Sequence, residues 1–290
     1  MPIPRKILIR VIGAPLLLAA LGAILYADHL RATNGGLILL LAVVSAVSSI
    51  EFHGFCAARG IATAKWVGTI CVVALFLPWS LKPFLNDADP FDPASACLAV
   101  ALLFLLYVLL KLVFRNATFT PEAAGYSFLG FAYVGLLAVL PAMPVQAKDS
   151  IYYLLFLVAT GKGSDMAAFV TGKTIGRHKM APVVSPNKTW EGCIGGAIAG
   201  TAAGTYLLVA TPLGQVYPGV PVPALLGFAF LVTMAGQLGD LVKSVFKRWA
   251  GVKDSGRLLP EFGGMLDMVD SFLVSIPVAH LAGAGLLLLF

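Results

Sequence analysis

Two aspartates three residues apart open the last apolar stretch of the chain, in Gly263-Gly264-Met265-Leu266-Asp267-Met268-Val269-Asp270-Ser271. On a helix Asp267 and Asp270 share one face. No Lys or Arg lies between them or follows them, so the two charges should repel each other. A bound divalent cation removes that conflict. Hard carboxylate oxygens suit Mg²⁺, which typically binds through one or two carboxylates together with substrate phosphates. Capping of the helix N-terminus is the structural alternative, and it accounts for Asp267 better than for Asp270.

Upstream, Gly239-Asp240-Leu241-Val242-Lys243-Ser244-Val245-Phe246-Lys247-Arg248 closes another apolar stretch. On a continuing helix Asp240, Ser244, Lys247 and Arg248 share a face. A carboxylate at the end of a membrane helix is costly unless paired or metal-bound, so Asp240 is either a metal ligand or the partner of Lys243 or Lys247. Between the two stretches lies Lys253-Asp254-Ser255-Gly256, followed by Pro260, Gly263 and Gly264. Glycines let a backbone come close to a phosphate and lysines add charge. The Walker pattern Gly-x-x-x-x-Gly-Lys-Ser/Thr is absent, so this is not a P-loop.

A second polar loop runs Gly172-Lys173-Thr174-Ile175-Gly176-Arg177-His178-Lys179 and then Ser185-Pro186-Asn187-Lys188-Thr189-Trp190-Glu191-Gly192. Ser185, Lys188 and Thr189, just ahead of a new helix, are suited to holding phosphates, with anchoring of a charged face the alternative for Lys188. Trp190 either stacks on a base or marks the membrane interface, and Arg177 and Lys179 read as anchors of a charged face. Asp165, three residues after Lys162, is an ionisable group inside a span: a functional candidate, or that lysine's ion partner. The histidines (His29, His53, His178, His280) are scattered and form no ligand set. The four cysteines, Cys56, Cys71, Cys97 and Cys193, lack Cys-x-x-Cys spacing and read as small apolar residues.

The elements that must position these residues are membrane helices. Of the 290 residues, 59% are hydrophobic and 12% charged, with a mean hydropathy of +0.91. A soluble domain carries about 25% charge, so this chain cannot cover a soluble surface, and disordered, collagen-like and disulfide-scaffold classes are excluded as well. At about 20 residues per crossing of a ~30 Å hydrocarbon core, nine all-α spans are predicted: 7–27, 35–58, 66–85, 94–114, 122–144, 150–171, 192–213, 221–241 and 266–289. The first follows Arg5, Lys6 and Arg10 and reads as an uncleaved helix rather than a signal peptide. With the N-terminus cytoplasmic, sixteen Lys and Arg fall on that side and three (Arg31, Lys82, Lys148) on the other. That is the positive-inside pattern, so the net charge of +6 reflects orientation and not nucleic-acid binding. Asp87, Asp89 and Asp92 read as a solvated external turn. Residues 1–145 hold about five spans with plain loops, and 146–290 hold about four spans with the polar loops. Together they are read as one membrane domain.

The stretch Ser244-Val245-Phe246-Lys247-Arg248, with Lys253-Asp254-Ser255-Gly256, Pro260, Gly263-Gly264, Asp267 and Asp270, resembles the signature of the phosphatidate cytidylyltransferase (CDP-diacylglycerol synthase) family. Ser185 to Gly192 is similar to a second block of that family, and Asp165 with Gly172 to an upstream one. The resemblance spans roughly 160–272, while the first half agrees only in being apolar. Three positions depart: Phe262 where the family usually has His, Met268 where it has Arg, and Lys243 where it often has an acidic residue.

The short N-terminus suggests a bacterial source, which would make the membrane the cytoplasmic one, and the resemblance implies a multi-pass enzyme within it. It would join CTP to phosphatidate, giving CDP-diacylglycerol and pyrophosphate with Mg²⁺ at a site on the cytoplasmic side. It further implies Asp240, Asp267 and Asp270 at the metal, with Ser244, Lys247, Arg248, Lys253 and Asp254 as catalytic residues. Asp165, Ser185, Lys188, Thr189, Gly263 and Gly264 would contact substrate. A homodimer is compatible with the sequence. Two rivals fit less well: another metal-dependent transferase acting on a lipid phosphate, of the polyprenyl-phosphate type, has a different motif order. A transporter of phosphorylated anions predicts an internal repeat and ionisable residues deep in several spans.

Overall fold

The computed structural model describes residues 22–24, 26–28, 30, 34–84, 92–114, 119–142, 150–256 and 263–290. Of the expected first span only 22–24, 26 and 27 are described, and they are helical. Arg5, Lys6, Arg10, Arg31, Asp87, Asp89, Arg115, Lys148, Arg257, Pro260 and Phe262 lie outside the described residues.

Among these residues seven helices are long and apolar enough to cross a membrane. The helices are α1 (Gly35–Ala58), α2 (Lys65–Ala74), α3 (Leu77–Leu81), α4 (Pro93–Phe114), α5 (Pro121–Gly135), α6 (Ser150–Val158), α7 (Ser164–Thr174), α8 (Trp190–Ala210), α9 (Val222–Ala250) and α10 (Met265–Leu289). A two-stranded antiparallel hairpin, β1 (Lys179–Ala181) and β2 (Ser185–Thr189), precedes α8 with Lys179 opposite Thr189 and Ala181 opposite Ser185. The expected polytopic all-α class holds, with the hairpin as an addition.

Local chemistry explains where the helices start and break. Thr120 accepts the Ala123 amide (3.1 Å) ahead of Pro121 and Glu122 at the start of α5, and Thr189 accepts the Gly192 amide (3.2 Å) at the start of α8. Both are hydroxyl N-caps. Asp28 accepts the amides of Gly36 (2.9 Å) and Leu37 (2.8 Å) and so caps α1. The span predicted over 66–85 is instead broken into α2 and α3. Pro78 has no amide hydrogen to return to the Ala74 carbonyl, the chain tightens over Leu75 and Phe76, and the Cys97 thiol donates to the Leu75 carbonyl (3.3 Å). The span predicted over 150–171 is α6 and α7 joined by one π-helical turn, Ala159–Gly163. Helix α9 runs nine residues past its predicted end, carrying Lys243, Lys247 and Arg248 on continuous helix.

The chain divides into two compact units, 1–142 with 250–268 and 143–249 with 269–290. In the first, α1, α2 and α5 pack together around Phe52, Phe55, Phe104 and Phe131. Ser49 and Thr69 pair (3.0 Å), and Ser127 joins the Ala64 amide to the Ala123 carbonyl (2.8 and 2.6 Å), so these buried hydroxyls are satisfied. In the second, α8 carries Gly192, Gly196, Gly200 and Gly204 four residues apart. A Cβ at Gly196 would stand 2.7 Å from the Ser164 carbonyl oxygen, and one at Gly204 2.6 Å from Thr160 Cγ2. This small-residue stripe lets α8 pack directly on the α6–α7 segment. Gln237 of α9 donates to Ser164 Oγ (2.9 Å) and the Cys193 carbonyl (3.2 Å) and accepts from the Cys193 thiol (2.9 Å). It ties three helices with every one of those polar groups paired. All four cysteines are free thiols. Beyond Ser95 in its first turn, the exposed side chains of α4, among them Leu98, Leu102, Leu103 and Leu106, are apolar, as a lipid-facing surface requires.

Candidate active site

Each unit holds one cluster of the residues that the sequence singles out. In the second unit Asp165, Lys162, Asp270, Lys243, Asp240 and Lys188 form an alternating chain of carboxylates and ammonium groups. Lys162 Nζ lies 2.6 Å from Asp270 Oδ1 and 3.9 Å from Asp165 Oδ2. Lys243 Nζ contacts Asp270 Oδ2 and sits 3.1 Å from Asp240 Oδ1, while Lys188 Nζ is 2.7 Å from Asp240 Oδ2. The Asp270 side chain is 2% exposed and that of Lys243 7%. Bringing either charge alone out of water costs several kcal/mol. The alternation of three acids with three bases makes such burial tolerable. The Ser271 amide adds a hydrogen bond to Asp270 Oδ1 (2.6 Å).

Four elements build this chain. The π turn carries Lys162 and α7 carries Asp165, and the wide turn's Gly161 packs beside Ser271 of α10. Strand β2 delivers Lys188, α9 delivers Asp240 and Lys243 one turn apart, and α10 delivers Asp270. The hairpin is held by Glu191, which accepts from the amides of Arg177 (3.1 Å) and His178 (3.2 Å) and pairs with His178 Nδ1 (2.6 Å). Arg248 Nε donates to the Val184 carbonyl (3.1 Å), fixing the hairpin turn to the end of α9.

In the first unit the loop before α10 closes on a residue that the motif reading passed over. Glu51, buried in α1, accepts the amides of Met265 (2.9 Å) and Leu266 (2.8 Å) and the Ser255 hydroxyl (3.0 Å). It therefore satisfies two of the orphan amides at the start of α10. Asp267 Oδ2 accepts the Ser255 amide (3.0 Å), its hydroxyl (2.8 Å) and the Gly264 amide (3.3 Å). Gly263 has φ +86°, the left-handed region that favours glycine. A Cβ on Gly256 or Gly264 would run into the Glu51 carboxylate. The glycines expected to admit a phosphate thus admit a carboxylate of the chain itself.

Of the sequence candidates, Asp165, Lys188, Asp240 and Asp270 come together in one cluster. Asp267, Gly263 and Gly264 meet in the other. Ser244 donates to the Asp240 carbonyl (2.8 Å), Thr189 is spent on the cap of α8, and Ser185 opens β2. Lys247 lies half-buried in the last turn of α9, Arg248 holds the hairpin, and Lys253 and Asp254 are exposed next to Ser255. Lys162 and Lys243 hold the centre of the alternating chain. Sequence spacing shows Lys243 only as a neighbour of Asp240.

Among the described residues no three His, Cys, Asp or Glu side chains are arranged to hold a metal ion. Asp240 and Asp270 do converge on one cation, the Lys243 ammonium. Two carboxylates about one cationic position fit Mg²⁺ that arrives with substrate phosphates, not an all-protein cage.

The profile of the cytidylyltransferase family matches residues 8–284. The phosphatidate cytidylyltransferase of Staphylococcus saprophyticus is 29% identical over 253 residues, covering 86% of this chain and 90% of that protein. That of Staphylococcus haemolyticus is 31% identical over 215 residues, covering 73% and 76%. That of Brucella suis reaches 42% over 164 residues, 56% of each.

Proposed function

Because the chain belongs to the cytidylyltransferase family and is a membrane-embedded nucleotidyltransferase, we propose that it joins CTP to phosphatidate at the alternating lysine–aspartate chain, on the cytoplasmic side of the membrane. A phosphate oxygen of phosphatidate attacks the α-phosphorus of CTP. The new P–O bond forms as the bond from the α-phosphorus to the bridging oxygen breaks, and pyrophosphate leaves. A phosphate monoester with a second pKa near ~6 is largely dianionic at neutral pH, so the nucleophile needs no base. What remains is to bring two anions together and to stabilise charge on the phosphoryl oxygens.

The observation that carries this reading is the charge balance of the cluster. Lys188, Lys243 and Lys162 are held ready by carboxylates that can exchange for phosphates. Lys162 and Lys188, with side chains 34% and 26% exposed, are the two that an incoming phosphate can reach, while Lys243 is buried. Asp240 and Asp270 would hold Mg²⁺, which supplies polarisation of the phosphoryl oxygens when bound. Asp267 orients the Ser255 loop through its three hydrogen bonds.

Purified protein given CTP labelled in its α-phosphate or cytidine moiety, phosphatidate and Mg²⁺ is expected to move label into the lipid phase, and chelation of the metal to stop it. Asp240→Asn is expected to lower turnover at least ~10²-fold, the scale of losing one electrostatic group from such a site, while the protein stays folded, and Asp267→Asn to lower it by loosening the Ser255 loop. Full turnover in Asp240→Asn would remove the cluster from the reaction.

A further inference from the structure

Between α8 and α9 the second unit has an apolar groove of about 840 Å³. Its floor is made of Cys193, Ala197 and Thr201, small residues at i, i+4 and i+8 of α8. Facing them, Leu226, Phe230 and Met234 stand at the same spacing on α9, and Trp190 marks the end nearest β2. We propose that this groove holds an acyl chain of the phosphate-bearing lipid substrate, an assignment that rests on the reaction proposed above.

Three observations converge on that occupant. The Trp190–Met234 end of the groove lies toward the charged cluster along both helices. Lys188 lies two residues before Trp190, and its partner Asp240 lies six residues beyond Met234, roughly 9 Å of helical rise. A phosphate held by Lys188 thus stands about one head group away from the groove's end. The depth also fits. From Trp190 to Thr201 the helix descends roughly 16 Å, about half of a ~30 Å hydrocarbon core and so one leaflet. Finally, the shape differs from an ordinary lipid-facing surface. Exposed α4 presents a row of leucines, whereas here small buried residues lie below exposed Ile194, Ile198 and Phe230.

The test uses full-length protein in nanodiscs containing phosphatidate with a diazirine in mid-chain, and separately phosphatidylcholine with the same chains. Irradiation is expected to label α8 and α9 residues lining the groove about tenfold more from phosphatidate, a difference of ~1.4 kcal/mol in preference. Ala197→Phe, which fills the floor, is expected to lose that label. It should raise KM for long-chain phosphatidate while leaving KM for the dihexanoyl lipid, KM for CTP and kcat unchanged. Equal labelling by both lipids would make the groove a boundary-lipid surface and overturn the proposal. So would label on other helices, or none because residues 7–27 or a second copy cover the groove. Groove labelling without CDP-lipid formation would support the binding site and remove only the reaction, whereas product with label elsewhere would remove only the groove.

Discussion

An acidic side chain inside an apolar helix needs partners to stay there, and Glu51 has the amides of Met265 and Leu266 and the hydroxyl of Ser255. Glutamine keeps its length, but turns one acceptor into a donor facing donors. A hydrogen bond to a charged group contributes about 1.5–3 kcal/mol, so Glu51→Gln should lower stability by about that much. Glu51→Ala should lower it further by leaving both amides without an acceptor. Thermal unfolding in detergent checks this; a wild-type midpoint for Glu51→Gln would mean that the cap contributes nothing. The same contact shows how much of the site the sequence made legible. Asp267 and Asp270 are visible because they share one short stretch, and their lack of a basic neighbour was a sound reason to suspect a cation. Asp270 has its cations all the same, in Lys243 and Lys162, the latter 108 residues away. Glu51 lies 204 residues from Ser255, and its only signal was a lone carboxylate within an apolar span.

Helix α8 is where packing, not charge, sets the geometry of the cluster. Its glycine stripe brings β2, and with it Lys188, against α7 and α9. Gly196→Ala would place a methyl group 2.7 Å from the Ser164 backbone carbonyl oxygen, which cannot turn away as a side chain could. Overpacking of this kind costs about 1–3 kcal/mol, and turnover should fall with stability because Lys188 and Asp240 move apart. Gly227→Ala on α9 meets nothing within 4 Å and is the control, with an effect within about 1 kcal/mol. Equal midpoints for the two variants would contradict the close approach of α8 to α7. The helices themselves were readable from apolar length, and most ends fell within a few residues. Three features were not. A break at Pro78 and a single π turn at Ala159–Gly163 both sit within apolar runs that hydropathy reads as continuous. The hairpin strand Ser185–Thr189 has no alternating pattern, and it is held by Glu191 from the following helix.

Across the whole molecule, the placement of Lys and Arg makes a prediction about sidedness that does not depend on any assigned residue role. Helix α8 has 21 residues, roughly 31 Å of rise against a ~30 Å hydrocarbon core. Val183 before it and Gln215 after it are both exposed and must therefore face opposite sides. The loop of Val183 carries Lys173, Arg177, Lys179 and Lys188, while that of Gln215 has no basic residue between Ala210 and Val222. The positive-inside bias therefore predicts that Val183 faces the cytoplasm. In a background without the four native cysteines, Val183→Cys should react with a membrane-impermeant maleimide only in inverted vesicles. Gln215→Cys should react only in right-side-out vesicles. The same inverted vesicles should convert added CTP without detergent, since a triphosphate cannot cross the bilayer and the lysine–aspartate chain lies at the Val183 end of α8. The opposite labelling pattern would turn the site outward, away from any cytoplasmic nucleotide. Labelling of both cysteines from one side would mean that α8 does not cross at all.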